Sequence, residues 1–225
     1  MWCVAEINNE YKEKMENVLA IYEKDHDPRE PVVCIDERPL VLHEEVREGI
    51  AAKPGRIAKR DSEYKRNGTA NAFCAVEPKA GRHFTKITKN RKAPEFAKMI
   101  EDIVLAYPRV RTIHLVMDNL NTHTEKSLTD YFEDRIGKRI WSKVTPHYTP
   151  KHGSWLNQAE IEISMFSRQC LGNDRIGDIA EMRSRARAWN RRMNRNAVQI
   201  NWTFTRQKAR KKFKYKKLNF KRVEY

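Results

Sequence analysis

Cysteine is scarce in the 225-residue sequence: Cys3, Cys34, Cys74 and Cys170 are scattered and form no C-x-x-C pair. That spacing excludes a disulfide framework and a structural zinc site, and it suits reduced thiols in a cytosolic protein. Long apolar runs are also missing. No stretch reaches the roughly 20 residues that a membrane span needs, and the N-terminus lacks the apolar core of a signal peptide. Internal repeats are absent. A hydrophobic share of 40% beside 33% charged residues excludes a disordered chain and suits one substantial core with an appendage.

Acidic charge is short at one end only. From Arg175 onward lie seventeen of the 45 Lys and Arg residues but three of the 30 Asp and Glu, so nearly all of the net +15 sits in the last quarter of the chain. Such asymmetry points to a polyanionic partner.

What is present reads as alternating strands and helices. Residues 4 to 24 carry Ile7, Tyr11, Met15, Val18 and Tyr22 at helical spacing. "PVVCIDERPL" is a strand, and "TANAFCAVE" and "RHFTKIT" form a hairpin through "PKAG". An amphipathic helix, "APEFAKMIEDIVLAY", precedes the buried strand "TIHLVMDN". Thr122 and Glu125 form a capping-box pattern for a helix through about Arg135, and "RIWSKVTPHY" is a fifth strand. A helix opening at Ser154 and another from about Asp178 to Arg195 complete the series. The order predicts an α/β fold: a mixed sheet of about five strands, three antiparallel and then parallel, with flanking helices.

Asp36 and Asp118 each follow an apolar strand run, where loops open a crevice in α/β sheets. Either residue alone also reads as a cap or a solvated acid. The stretch "HYTPKHGSWLNQAEIEIS" offers two glutamates. Leu156, Ala159, Ile163, Phe166 and Cys170 define its buried stripe. Glu160 lies at the edge of that stripe, about two turns into the helix, beside Asn157 and Ser164. Glu162 is rotated by about 200° from it, and the expectation for Glu162 is a surface charge. Two Asp and one Glu without a His or Cys cluster form a hard oxygen site that favours Mg²⁺ or Mn²⁺. Two such ions suit phosphodiester chemistry.

The motifs "VVCIDERP", "DSEYKRNGTANAF", "LVMDNLNTH" and "HYTPKHGSWLNQAEIEIS-MFSRQCL" resemble the catalytic domain of the bacterial insertion-sequence six-thirty family. That family is grouped with the mariner-like transposases of the DDE superfamily. The resemblance runs over nearly the whole chain and implies a ribonuclease H-like fold. It implies Asp36, Asp118 and Glu160 as the catalytic, metal-binding triad holding two Mg²⁺, with Mn²⁺ as substitute. Asn119 and His123 match its D-N-x-x-x-H block, His123 as a positioning residue, and Asn157 matches L-N-x-x-E. The implied activity is cleavage of DNA at inverted-repeat ends and strand transfer into target DNA, by a homodimer assembled on DNA in the bacterial cytoplasm. Full-length relatives carry a helix-turn-helix reader ahead of this domain. The expectation is that a separate N-terminal polypeptide supplies it, or that the chain is a DNA-binding fragment without activity. A ribonuclease H-like nuclease with another nucleic-acid substrate is a third reading.

The division expected is a leading helix at 1–30, the catalytic domain at 31–174 and a basic end at 175–225. In the basic end, Ile179, Met182, Ala186, Trp189 and Met193 form a buried stripe, leaving Arg183, Arg187, Arg191 and Arg195 for phosphate. Lys211 and Lys212 fall in "RQKARKKFKYKK", a segment expected to order along DNA. Lys151 and His152 beside the catalytic helix are further phosphate candidates, as is His147.

Overall fold

The computed structural model describes residues 7–216. Its five strands are β1 (Val32–Glu45), β2 (Tyr64–Glu77), β3 (Arg82–Thr88), β4 (Ile113–Met117) and β5 (Val144–Tyr148). They lie in the order β3-β2-β1-β4-β5. β1–β2 and β2–β3 are antiparallel, while β1–β4 and β4–β5 are parallel. This is the mixed sheet that the element order predicts and the ribonuclease H-like fold that the resemblance implies. The helices are α1 (Asn9–Glu23), α2 (Ala93–Ala106), α3 (Glu125–Phe132), α4 (Asp134–Trp141), α5 (Ala159–Phe166), α6 (Ile179–Arg195) and α7 (Arg206–Phe213).

Successive strand residues point to opposite faces, which is why the continuous apolar run of β1 is buried twice over. Val33 and Ile35 join Phe73, Leu115 and Met117 against Phe96, Met99, Ile100 and Ile103 of α2. Cys34 joins Val76 and Val116 against Met15, Val18 and Leu19 of α1 and against Leu156 and Ala159. Further along the second face, Leu40, Leu42, Cys74 and Ile87 meet Ile163 and Phe166 of α5 and Met182, Ala186, Trp189 and Met193 of α6. α5 is thus clamped between the sheet and α6. Truncating the fully buried Phe166 to Ala would cost roughly 3–5 kcal/mol.

Several local expectations change. The first helix begins at Asn9, capped by Asn8, whose Oδ1 accepts from the Tyr11 N–H at 2.8 Å; residues 4–6 lie outside those described. Thr122 is not a cap: Thr124 occupies that place, and the Thr122 carbonyl accepts from Ser127 Oγ at 2.7 Å. The single helix expected there is two, broken at Glu133 (φ 70°). Gly137 lets α4 lie on α3, since a Cβ there would stand 2.5 Å from the Thr129 nitrogen. "RIW" consequently ends α4 instead of opening β5.

The basic C-terminal segment is also folded, as far as residue 216. α7 docks on α1 through Arg210, which grips the buried Glu16 with Nε at 2.7 Å, while Tyr215 donates to the same carboxylate at 2.8 Å. Arg206 pairs with Glu23 at 2.7 Å. Among the described residues no helix is long and apolar enough to cross a membrane.

Candidate active site

β1 does not end at Asp36, as the apolar run suggests; it continues to Glu45 alongside β2. Its pairing with β4 is what stops, covering only Val32 to Cys34, with Cys34 opposite Val116. β4 itself ends at Met117. Continuing that register sets Asp36 opposite Asp118, at the lip where one neighbour of β1 falls away. Asp36 shares the face of Cys34, under α5.

The third acid arrives on α5, whose entry differs from the expected one. Ser154 opens a single 3₁₀ turn ending at Leu156, and the α-helix starts at Ala159 without a side-chain cap. Glu160 is therefore in the first turn, not two turns in. Asn157 fixes this entry: its Nδ2 donates to the Ile35 carbonyl at 2.8 Å and its Oδ1 accepts from the Ala159 N–H at 3.1 Å. One buried amide thus ties the start of α5 to the strand residue before Asp36. Glu160 is exposed, and its charge is felt at Asp36. Burial first, then the carboxylates of Glu160, Glu37 and Asp118, push Asp36 up to about 7, against the pull of the Glu37 backbone N–H at 2.8 Å. Among the described residues, no three His, Cys, Asp or Glu side chains are close enough together to hold a metal ion as they stand.

His123 is buried and stacks on Phe96, ring centroids 4.5 Å apart. Its Nδ1 lies 2.6 Å from Asp118 Oδ1 and its Nε2 3.5 Å from Glu37 Oε2. Burial opposes charge on this ring, yet contact with the two carboxylates lifts it to about 9. Tyr148 Oη donates to the His123 carbonyl at 2.9 Å. Glu37 and Tyr148 went unnoticed in the sequence. For Glu37 a signal existed: strand alternation aims it at the apolar α2 face, where an acid needs a partner. Asn119 is exposed beside Asp118, and both line an open cleft of about 700 Å³ with Tyr11, Lys14, Lys151 and His152.

Glu162 is not a surface charge. It is fully buried, with Oε1 2.8 Å from Nδ1 of the equally buried His83 on β3. It does point away from Glu160, but that side of α5 is covered by β3, α6 and the segment at Val198. His83 Nε2 faces the Val198 carbonyl at 2.9 Å, so that nitrogen donates, and the pair holds one further proton between Nδ1 and the carboxylate. Burial raises the Glu162 pKa against the opposing pull of His83. Asn194 of α6 completes the junction by exchanging two hydrogen bonds with the His83 backbone at 2.8 and 2.9 Å.

His147 is also buried, with Nε2 2.9 Å from His114 Nδ1 and Nδ1 2.6 Å from Asn17 Oδ1, so it faces no phosphate. Burial, then the charge of His114, pushes it down to about 4. Of the basic candidates, Arg183 is committed to the Ile87 carbonyl at the end of edge strand β3, at 3.1 Å. Arg187, Arg191 and Arg195 are exposed on α6, Lys211 and Lys212 on α7, and Lys151 and His152 in the loop before the 3₁₀ turn.

A family model described as DDE superfamily endonuclease matches residues 31–183. Among solved structures, the Mos1 mariner paired-end complex with Mn is similar at a TM-score of 0.55 and 15% identity, over 88% of this chain and 61% of that one. A pre-cleavage Mos1 transpososome gives 0.53 and 14%, over 88% and 64%. The catalytic domain of Mos1 mariner transposase gives 0.54 and 13%, over 88% and 91%. The chain therefore spans under two-thirds of the length of the first two, and likeness at this identity is one of fold. A search of curated proteins finds no match. With the family model covering more than half of the sequence, and with the strand order in agreement, the chain belongs to the DDE superfamily endonucleases.

Proposed function

We propose that the chain is the catalytic part of a DNA transposase. On this reading it cuts DNA strands at the ends of a mobile element and joins them to target DNA, with Asp36, Asp118 and Glu160 holding two Mg²⁺ ions, or Mn²⁺ in their place. The observation that carries the reading is the register that sets Asp36 opposite Asp118, with Asn157 tying the start of α5, and so Glu160, to the strand residue before Asp36. Carboxylates brought close together repel one another, and divalent charge would reverse that balance. The all-oxygen donor set fits Mg²⁺ and Mn²⁺ and does not suit zinc. Bound there, the ions supply an activated water or 3′-hydroxyl and charge stabilisation of the leaving oxygen.

The chain's own residues set the geometry. Asn157 fixes the start of α5 relative to Asp36, and His123 with Glu37 orients Asp118. Asn119 faces the cleft that would admit the strand. Residues 31–174 form the catalytic unit on this reading, with 1–30 and 175–225 bracing it. Lys151, His152, Arg187, Arg191, Arg195, Lys211 and Lys212 are the proposed phosphate contacts. Arg183 stays in the proposal only as a residue that would have to leave the Ile87 carbonyl. The partners proposed are element ends, target DNA and a second copy on DNA, in the bacterial cytoplasm.

Supercoiled plasmid incubated with Mn²⁺ tests this. The parent should nick it and Asp118→Asn should not. DNA binding without nicking by either would favour the alternative, a non-catalytic DNA-binding partner of a split transposase.

A further inference from the structure

The 3₁₀ turn before α5 leaves a large aromatic side chain uncovered. Trp155 is 40% exposed, although Leu156 beside it is fully buried. The indole is held from several sides: its N–H donates to Tyr11 Oη at 3.2 Å, and Phe204 meets it nearly edge-on at 5.3 Å and 78°. Phe213 of α7 stands 6.2 Å away. Each support comes from a different part of the chain, so the ring is immobilised without being hidden. Two of its neighbours, Tyr11 and Ser154, line the cleft that opens on Asp118.

Lysines lie both in the cleft and on α7. Lys14, Lys151 and His152 line the cleft. Lys212 lies over both Phe204 and Phe213, 5.8 Å from each centroid. α7 sorts its charges: Arg206 and Arg210 turn inward to Glu23 and Glu16, while Lys208, Lys211 and Lys212 are left exposed. A rigid exposed indole beside a cleft that carries Lys14 and Lys151 together with Glu10 and Asp118, and beside a basic helix, has the parts of a single-strand site, where cations follow the backbone and an aromatic face takes an unstacked base. Duplex DNA keeps its base faces covered and gains nothing from such a ring.

We propose that Trp155 is a stacking platform for an unpaired nucleobase of the DNA strand entering the cleft beside Asp118. This rests on the reading of DNA as substrate. It adds that the strand is locally opened next to the carboxylates, and that α7 forms one wall of its path.

The test is fluorescence anisotropy in EDTA, with a labelled oligothymidine strand and a duplex of equal length, so that no cleavage intervenes. Trp155→Ala should weaken single-strand binding about tenfold while duplex binding stays within about twofold, and Trp155→Phe should keep most of the single-strand affinity. Trp155→Leu retains apolar bulk without a π-face and should behave as the alanine variant does. Thermal melting checks that each variant folds. Single-strand binding by both the Ala and Leu variants equal to the parent's overturns the proposal, as does an equal loss on both DNA forms. If the parent binds neither form at low salt, the DNA reading itself fails. If the parent binds both and the substitutions change nothing, this inference alone fails.

Discussion

At the scale of single residues, Asp36 trades stability for charge. Its folded pKa of about 7 lies above the roughly 3.9 of an unfolded aspartate. The sign follows: the neutral acid is the form the fold prefers, so its contribution is full below about pH 4 and is lost as pH rises through 7. Asp36→Asn cannot ionise. Its melting temperature, measured without divalent metal, should pull ahead of the parent's between pH 4 and 8, by the equivalent of roughly 1–3 kcal/mol at the upper end. A difference that stays flat with pH contradicts this. His123 runs in the same direction for a different reason. Raised to about 9 by Asp118 and Glu37, it lends stability that is complete below about pH 6.5 and vanishes as pH passes 9. His123→Ala should therefore cost more at pH 6 than at pH 10 in chemical denaturation, and should lower nicking activity, since Asp118 loses the ring that orients it.

At the scale of elements, α5 and its two flanks are held by three separate ties: Asn157 before it to β1, Glu162 within it to His83 on β3, and Ser167 after it to Arg38 of β1 at 2.5 Å. Glu162→Ala leaves a buried imidazole without its partner and should destabilise the fold by about 3 kcal/mol. The paired change Glu162→Leu with His83→Leu should restore part of that loss, read by urea denaturation. A double variant no better than the single one would show that the pair is not a closed unit. Much of this layer was legible beforehand. "RHFTKIT" coincides with β3, and the stripe of α2 is buried as its spacing requires, because strand and helix periods are local properties. What covers the far side of a helix is not local. The spacing of Glu160 and Glu162 gives the angle between them, but the cover over Glu162 comes from Asn194 and Val198, more than thirty residues later. The α3–α4 break escaped for a similar reason: Glu133 gives no turn signal, and Gly137 matters only through its contact with α3.

At the scale of the whole molecule, charge asymmetry was legible and its disposition was not. The basic end reads as a tail seeking phosphate, yet Arg206 and Arg210 are spent on Glu23 and Glu16 of α1, and residues 217–225 lie outside those described. Arg210→Ala strands a buried carboxylate and should cost about 2 kcal/mol, less than a fully buried pair because the guanidinium is a quarter exposed. On the transposase reading the lysines left facing outward would make DNA binding salt-dependent: Lys211→Glu with Lys212→Glu should flatten the slope of log affinity against log salt by roughly two. The register that sets Asp36 opposite Asp118 was legible as two strand ends, while the exposed posture of Glu160 depends on the late start of α5, which its spacing does not give. Titration of Mn²⁺ into the metal-free protein by calorimetry bears most directly on whether the acids of β1, of the loop after β4 and of α5 act as one cation site. The parent should bind with heat, Asp36→Asn and Glu160→Gln should each lose that binding, and Glu13→Gln, at an exposed position of α1, should not. Undiminished binding by the Glu160 variant would contradict the account.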